Sequence, residues 1–148
     1  LACAPPLPAG LDDDACYVAP HVFVDVDPLS ALAQEEIFGP VLSVWRARDF
    51  AAALKMANAV TYGLTGGLYS RTPSHIDLAA REFAVGNLYV NRGITGAMVG
   101  RQPFGGFKES GTGSRTGGPD YLLNFMEPRT ITETVHFGSH HLGRSRHA

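Results

Sequence analysis

Seven of the twenty-three residues from Asn91 to Gly113 are glycine, in the order NRGITGAMVGRQPFGGFKESGTG. The glycines stand singly or in one pair between specific apolar and polar residues. Inside a helix or strand glycine costs about 0.5–1 kcal/mol relative to alanine, so a shaped loop is expected here. Glycine lets the backbone approach a ligand and adopt φ > 0, and bare N–H groups can then point at an anion. The segment therefore offers an anion cradle, although a surface loop with no ligand uses the same residue types. Glu35 and Glu36 place two carboxylates side by side, a pair that also suits the solvated end of a short helix. Cys3 and Cys16 are the only thiols and fall in no CxxC or Cys/His pattern, which gives no support to a disulfide framework. Cys16 reads as a small buried or half-buried cysteine rather than a nucleophile. His136, His140, His141 and His147 sit in a basic tail without acidic or cysteine partners, and their spacing matches no zinc pattern, so no metal is expected.

The elements that must position the loop can be read from periodicity and punctuation. His21–Asp25 and Val41–Trp45 are β-rich runs and read as strands. Asp49 is placed to cap a helix whose Phe50, Ala53, Leu54 and Ala57 share one apolar face. Leu64–Ser70 reads as a strand with close backbone approach at Gly66 and Gly67. Thr72 and Pro73 form an N-cap and first-turn pair. They open a helix with Ile76, Ala79, Ala80 and Phe83 on one face and Gly86 near its C-cap. Asn87–Asn91 is the next strand, and the glycine loop leaves its carboxyl end. This β-α-β-α-β order predicts an α/β fold: a parallel sheet with flanking helices, its crossovers right-handed. In such sheets ligands bind beyond the carboxyl ends of strands, which is where the glycine loop lies. Pro119–Met126 is expected as a short helix with Pro119 near its first position, and Glu127–Val135 as a final strand. Leu1–Ala15, with its prolines and the acidic run Asp12–Asp14, reads as irregular, and 136–148 as a disordered tail.

The 148 residues suffice for one domain, and a net charge of -2 with 45% hydrophobic residues fits a soluble globular protein. No basic patch invites nucleic acid. No apolar run reaches the roughly 20 residues of a membrane span, and Leu1–Leu11 lacks the basic start of a signal peptide. Sparse cysteine is in keeping with a cytoplasmic or organelle-matrix setting.

PFGGFKESGTG, Pro103–Gly113, resembles the C-terminal signature of the aldehyde dehydrogenase superfamily, and EEIFGPV, Glu35–Val41, resembles a second signature in the same order. Gly86–Gly106, GNLYVNRGITGAMVGRQPFGG, and Gly117–Glu133, GGPDYLLNFMEPRTITE, are similar to the L-glutamate γ-semialdehyde (1-pyrroline-5-carboxylate) dehydrogenase branch. The resemblance runs from about Tyr17 to Glu133. It implies oxidation of an aldehyde through a cysteine thiolate, with hydride passing to NAD and a glutamate-activated water releasing the acid. It also implies that the nucleophile, the general base and the dinucleotide-binding domain lie upstream of Leu1, since neither Cys3 nor Cys16 sits in the nucleophile's motif. A first residue that is Leu rather than Met is in keeping with a truncated chain. The expected layout is then an irregular stretch over 1–15, the C-terminal part of the catalytic domain over 16–128, an oligomerisation strand over 129–135 and the tail.

By the same resemblance, Glu36 accepts from the nicotinamide ribose hydroxyls and Phe38 packs near the nicotinamide, while Glu35 is structural and Gly39-Pro40 fixes a turn. The backbone amides of Gly96 and Ala97 match the positions that hold the substrate's α-carboxylate, and Phe104 the aromatic residue beside its aliphatic part. Without the resemblance, Phe104 reads equally as a core aromatic and Asn91 as a turn residue. Arg92 and Arg101 are attractive counter-charges but are not assigned, because the amide anchor already accounts for the carboxylate. The expected function is NAD-dependent oxidation of L-glutamate γ-semialdehyde to glutamate in proline breakdown, by a homo-oligomer of which this chain is an inactive portion. The alternatives are an aldehyde dehydrogenase for another substrate and a chain that serves only as an oligomerisation module.

Overall fold

A computed structural model describes residues 1–12 and 15–134. Asp13 and Asp14 of the acidic run, Val135, and the tail expected at 136–148 with its four histidines lie outside the described residues.

Strand β1, His21–Val24, pairs in parallel with β2, Val41–Val44, with His21 opposite Val41 and Val24 opposite Val44. Parallel neighbours cannot be joined by a tight turn, and the crossover at 25–40 carries a one-turn helix, α1, Ala31–Gln34. Near the amino end, Cys3 makes a backbone bridge to Val22, so the stretch expected to be irregular is tied to β1 at that point.

Helix α2, Phe50–Asn58, starts where expected, with Asp49 Oδ1 accepting from Ala52 N at 2.7 Å. A cap of this kind contributes about 1 kcal/mol by satisfying an otherwise orphaned amide. Its Leu54 is buried, but Ala57 of the same stripe is exposed. Helix α3, Pro73–Glu82, packs beside it: the Phe50 and His75 rings stack at 4.2 Å, and Ala79 is 1% exposed. Asn58 joins the two carboxyl ends, donating from Nδ2 to Glu82 O at 2.7 Å and accepting at Oδ1 from Ala84 N at 2.9 Å. Pro73 occupies the first turn as expected, whereas the Thr72 side chain makes no capping bond.

The strand expected over Leu64–Ser70 forms as the shorter β4, Thr65–Leu68, and a further strand, β3, Tyr62–Gly63, precedes it. The two are separated by Leu64 because they serve different partners. β4 pairs in parallel with β5, Asn87–Val90, across α3. β3 pairs antiparallel with β6, Phe107–Lys108, a two-residue strand inside the glycine segment. The α/β character and the parallel pairings are present, but the described strands form three two-stranded ladders and not one sheet.

Gly66 permits the close approach of β4 to α3: a Cβ there would come 2.6 Å from the Phe83 ring. Gly86 is not the C-cap of α3, which is Phe83. It leads into β5 and abuts the backbone of Gly105 and Gly106. The helix expected over Pro119–Met126 is a 3-10 helix, Tyr121–Phe125, with Asp120 at its N-cap position but no side-chain capping bond; its bonds run to the third residue back, as in Leu123 N to Asp120 O. Of the strand expected over Glu127–Val135, residues 127–134 take no ladder and are exposed, because no other strand among the described residues lies alongside.

Val26, Leu54, Ala79 and Tyr89 are the buried hydrophobic residues among those described, while Leu42 and Val44 of β2 stand 57% and 36% exposed. Such a core is small for 148 residues, and large apolar areas remain to be covered. Among the described residues no helix is long and apolar enough to cross a membrane.

Candidate functional site

Where β5 ends, Asn91 turns the chain at φ +55, and its amide bonds the carboxyl end of β4. Oδ1 accepts from Ser70 N and Nδ2 donates to Ser70 O, both at 2.9 Å. The side chain is used for the turn. The glycine segment then begins with its backbone fixed to two parallel strands.

Gly96 lies at φ +86, a conformation that only glycine adopts without strain. Neither its N–H nor that of Ala97 donates to any acceptor among the described residues. Gly96, Ala97 and Phe104 border one concavity of about 500 Å³, together with Leu64, Tyr89 and Ile94. The three residues expected to meet a substrate are thus brought together from positions up to eight residues apart in sequence.

Phe104 is held through its backbone. It exchanges two 2.9 Å hydrogen bonds with Thr116, and Asn87 clamps the residues on either side. Asn87 Nδ2 donates to Pro103 O at 2.9 Å, and its Oδ1 accepts from Gly105 N at 3.2 Å. The ring is not a core aromatic; it is 38% exposed.

Glu36 is exposed and borders a second concavity of about 360 Å³ with Glu35, Gln34, Tyr62, Leu64 and Ser110. Leu64 lines both concavities. Glu35, expected to be structural, shares this rim. Phe38 borders neither concavity. It stands 91% exposed at φ +54, unusual for a bulky residue. Cys16 is exposed, not buried or half-buried as expected, in a stretch whose described residues are mostly exposed; Cys3 is exposed as well. Neither thiol borders the two concavities.

Sequence reasoning missed Asn87 and Tyr89. With Asn91 they alternate along β5, and residues i, i+2 and i+4 of a strand share a face. That periodicity was the available signal that the glycine segment would fold onto this face. Tyr89 is 5% exposed, and its hydroxyl has no hydrogen-bond partner among the described residues. The unassigned Arg92 lies 5.3 Å above the Tyr89 ring and donates from Nη2 to Thr95 O at 3.3 Å.

The family described as the aldehyde dehydrogenase family matches residues 4–131. The chain is 54% identical over 124 residues to 1-pyrroline-5-carboxylate dehydrogenase of Geobacillus thermodenitrificans, covering 84% of this chain and 24% of that protein. The protein of the same name from Bacillus subtilis is 52% identical over 124 residues, with the same coverage. Among solved structures, 1-pyrroline-5-carboxylate dehydrogenase from Thermus with bound NAD superposes with a TM-score of 0.75 at 61% identity, over 79% of this chain and 23% of that one. Proline utilization A from Bdellovibrio bacteriovorus gives 0.74 at 58% identity, over 79% of this chain and 12% of that one. The chain therefore spans about a quarter of the length of these curated relatives.

Proposed function

The chain belongs to the aldehyde dehydrogenase family, and from that premise we propose that it supplies the substrate-anchoring wall of an L-glutamate γ-semialdehyde dehydrogenase. The observation that carries this reading is the pair of unclaimed amides, Gly96 and Ala97, on the same concavity as the Phe104 ring. An amino-acid aldehyde has an anionic end and a short aliphatic stem. Two N–H donors beside glycine suit the carboxylate, and a fixed ring suits the stem. Holding both ends aims the aldehyde at one place, which is how positioning lowers a barrier. The similarity to proteins named 1-pyrroline-5-carboxylate dehydrogenase supports this choice of substrate over a simple aldehyde.

On the second concavity, Glu36 has the chemistry to hold the cofactor's ribose: an ionised carboxylate accepts two hydroxyl donors at once. Phe38 would offer its exposed face to the nicotinamide, and a bulky residue kept at positive φ in solvent is the kind of strain that a functional site retains. NAD, when bound, supplies the hydride acceptor. The Thermus neighbour with bound NAD supports NAD as that cofactor.

Neither thiol of this chain borders the anchor, so the reacting nucleophile must come from elsewhere in the enzyme. Purified alone, the 148 residues are expected to form no NADH from L-glutamate γ-semialdehyde and NAD, and the intact enzyme carrying them to do so readily. Turnover by the isolated chain would refute the assignment of roles. An intact enzyme that treats short aliphatic aldehydes as well as glutamate semialdehyde would favour the reading as a dehydrogenase of other specificity. The exposed, unladdered segment at 127–134 is the part available to pair with a second copy. Deleting residues after Pro128 is expected to lower the oligomeric state of the intact enzyme on a sizing column, and an unchanged state would remove the segment from that role.

A further inference from the structure

Arg92 and Gln102 act together on the two peptides that carry the anchor amides. Arg92 Nη2 donates to Thr95 O at 3.3 Å. The Gln102 amide, in the orientation its surroundings satisfy, donates from Nε2 to Gly96 O at 2.9 Å and accepts at Oε1 from Arg92 Nη1 at 3.2 Å. The guanidinium is thereby linked to both carbonyls, one directly and one through Gln102.

Those carbonyls are not arbitrary. Thr95 O belongs to the same peptide plane as the Gly96 N–H, and Gly96 O to the same plane as the Ala97 N–H. In a trans peptide the C=O and N–H point in opposite directions. Drawing both oxygens toward Arg92 and Gln102 therefore turns both N–H groups the other way. The positive φ of Gly96 lets two successive peptides present their donors together.

The brace has its own supports. The guanidinium rests over the ring of Tyr89, a residue 5% exposed on β5, within cation–π range. Gln102 is half-buried, and its backbone N–H donates to Met98 O at 2.8 Å. We propose that Arg92 and Gln102 are positioning residues that orient the Gly96 and Ala97 amides toward a carboxylate, and so set the preference for a carboxylate-bearing aldehyde without touching it. The inference rests on the reading of Gly96 and Ala97 as the anchor.

The test is made in the intact enzyme with three variants, Arg92→Met, Arg92→Lys and Gln102→Met, assayed on L-glutamate γ-semialdehyde and on hexanal, with Gly96→Val as reference. Each of the three is expected to raise KM for the semialdehyde roughly tenfold, with kcat and the hexanal KM changing less than about twofold, because ground-state anchoring is lost without harm to the chemical step. Arg92→Lys keeps the charge but loses the planar fork, so it separates bracing from attraction. Full activity of Arg92→Lys beside an impaired Arg92→Met would mean direct attraction and overturn the brace, as would a silent Gln102→Met. Parallel losses on both aldehydes would show a general structural role and overturn it too. If Gly96→Val itself harms both substrates equally, the anchor reading fails; if only the brace variants are silent, the anchor stands and the brace falls.

Discussion

Gly96→Val is expected to lower kcat/KM of the intact enzyme for L-glutamate γ-semialdehyde by about 100-fold, and to harm short aliphatic aldehydes far less. The expectation starts from the backbone. At φ +86 a side chain with a Cβ is strained, and a β-branched one most of all. Space is not the obstacle, since a Cβ at Gly96 would meet only Arg92 Nη2, at 3.7 Å. Left-handed backbone costs an L-residue roughly 1–2 kcal/mol, which the chain can escape by rotating the flanking peptides. That rotation swings the Gly96 and Ala97 amides off the concavity. A hydrogen bond to a charged group contributes about 1.5–3 kcal/mol, so losing the pair readily reaches the roughly 2.7 kcal/mol of a 100-fold effect. An aldehyde without a carboxylate never used those donors. Steady-state kinetics on both substrate classes decide the matter, and equal losses would count against the anchor.

The second large effect concerns stability. Gly86→Ala is expected to destabilise the intact protein by about 3 kcal/mol or more, the upper range for overpacking, with accumulation of insoluble protein as its first sign. A Cβ at Gly86 would fall on the carbonyl oxygen of Gly105, with Gly105 C at 2.6 Å and Gly106 Cα at 2.8 Å. These are backbone atoms and cannot swing aside as a side chain would. The collision separates β5 from the glycine segment, breaks the Asn87 clamp on Pro103 and Gly105, and releases Phe104 from the wall. Urea unfolding of the soluble fraction provides the measurement. A variant within about 0.5 kcal/mol of the parent, the range of ordinary surface changes, would show that the close contact is not sustained in solution.

The two effects differ in how they are written in the sequence. Local features were legible because their causes are local. Asp49 before an apolar stripe caps α2, Pro73 opens α3, and β-rich runs mark β1 and β2. The glycine spacing of Asn91–Gly113 indicated a loop able to take positive φ, and Gly96 and Gly100 do so. The family was legible for a different reason: long runs such as PFGGFKESGTG and EEIFGPV are too specific to arise by chance.

The parallel sense of pairing was legible from the order of elements, but which strands pair, and where, was not. β propensity says that a segment fits a pleated surface but not which strand lies beside it. The extra strand β3, the short β6 and the unladdered 127–134 follow from what each backbone finds as a neighbour. Gly86 looked like a helix stop because glycine serves many ends; only the fold brings Gly105 against it.

By itself, then, the sequence determined the family and the main elements, and it singled out Gly96, Ala97 and Phe104 as one group. Tertiary structure alone decided their geometry. It set Gly96, Ala97 and Phe104 on one concavity, placed Glu36 on a second that shares Leu64, and linked Arg92, directly and through Gln102, to the peptides carrying the amides. The physical reason is that propensity, capping and glycine freedom act within a few residues of the chain. The direction of a peptide dipole is instead set by whichever side chain, near or far in sequence, holds its carbonyl.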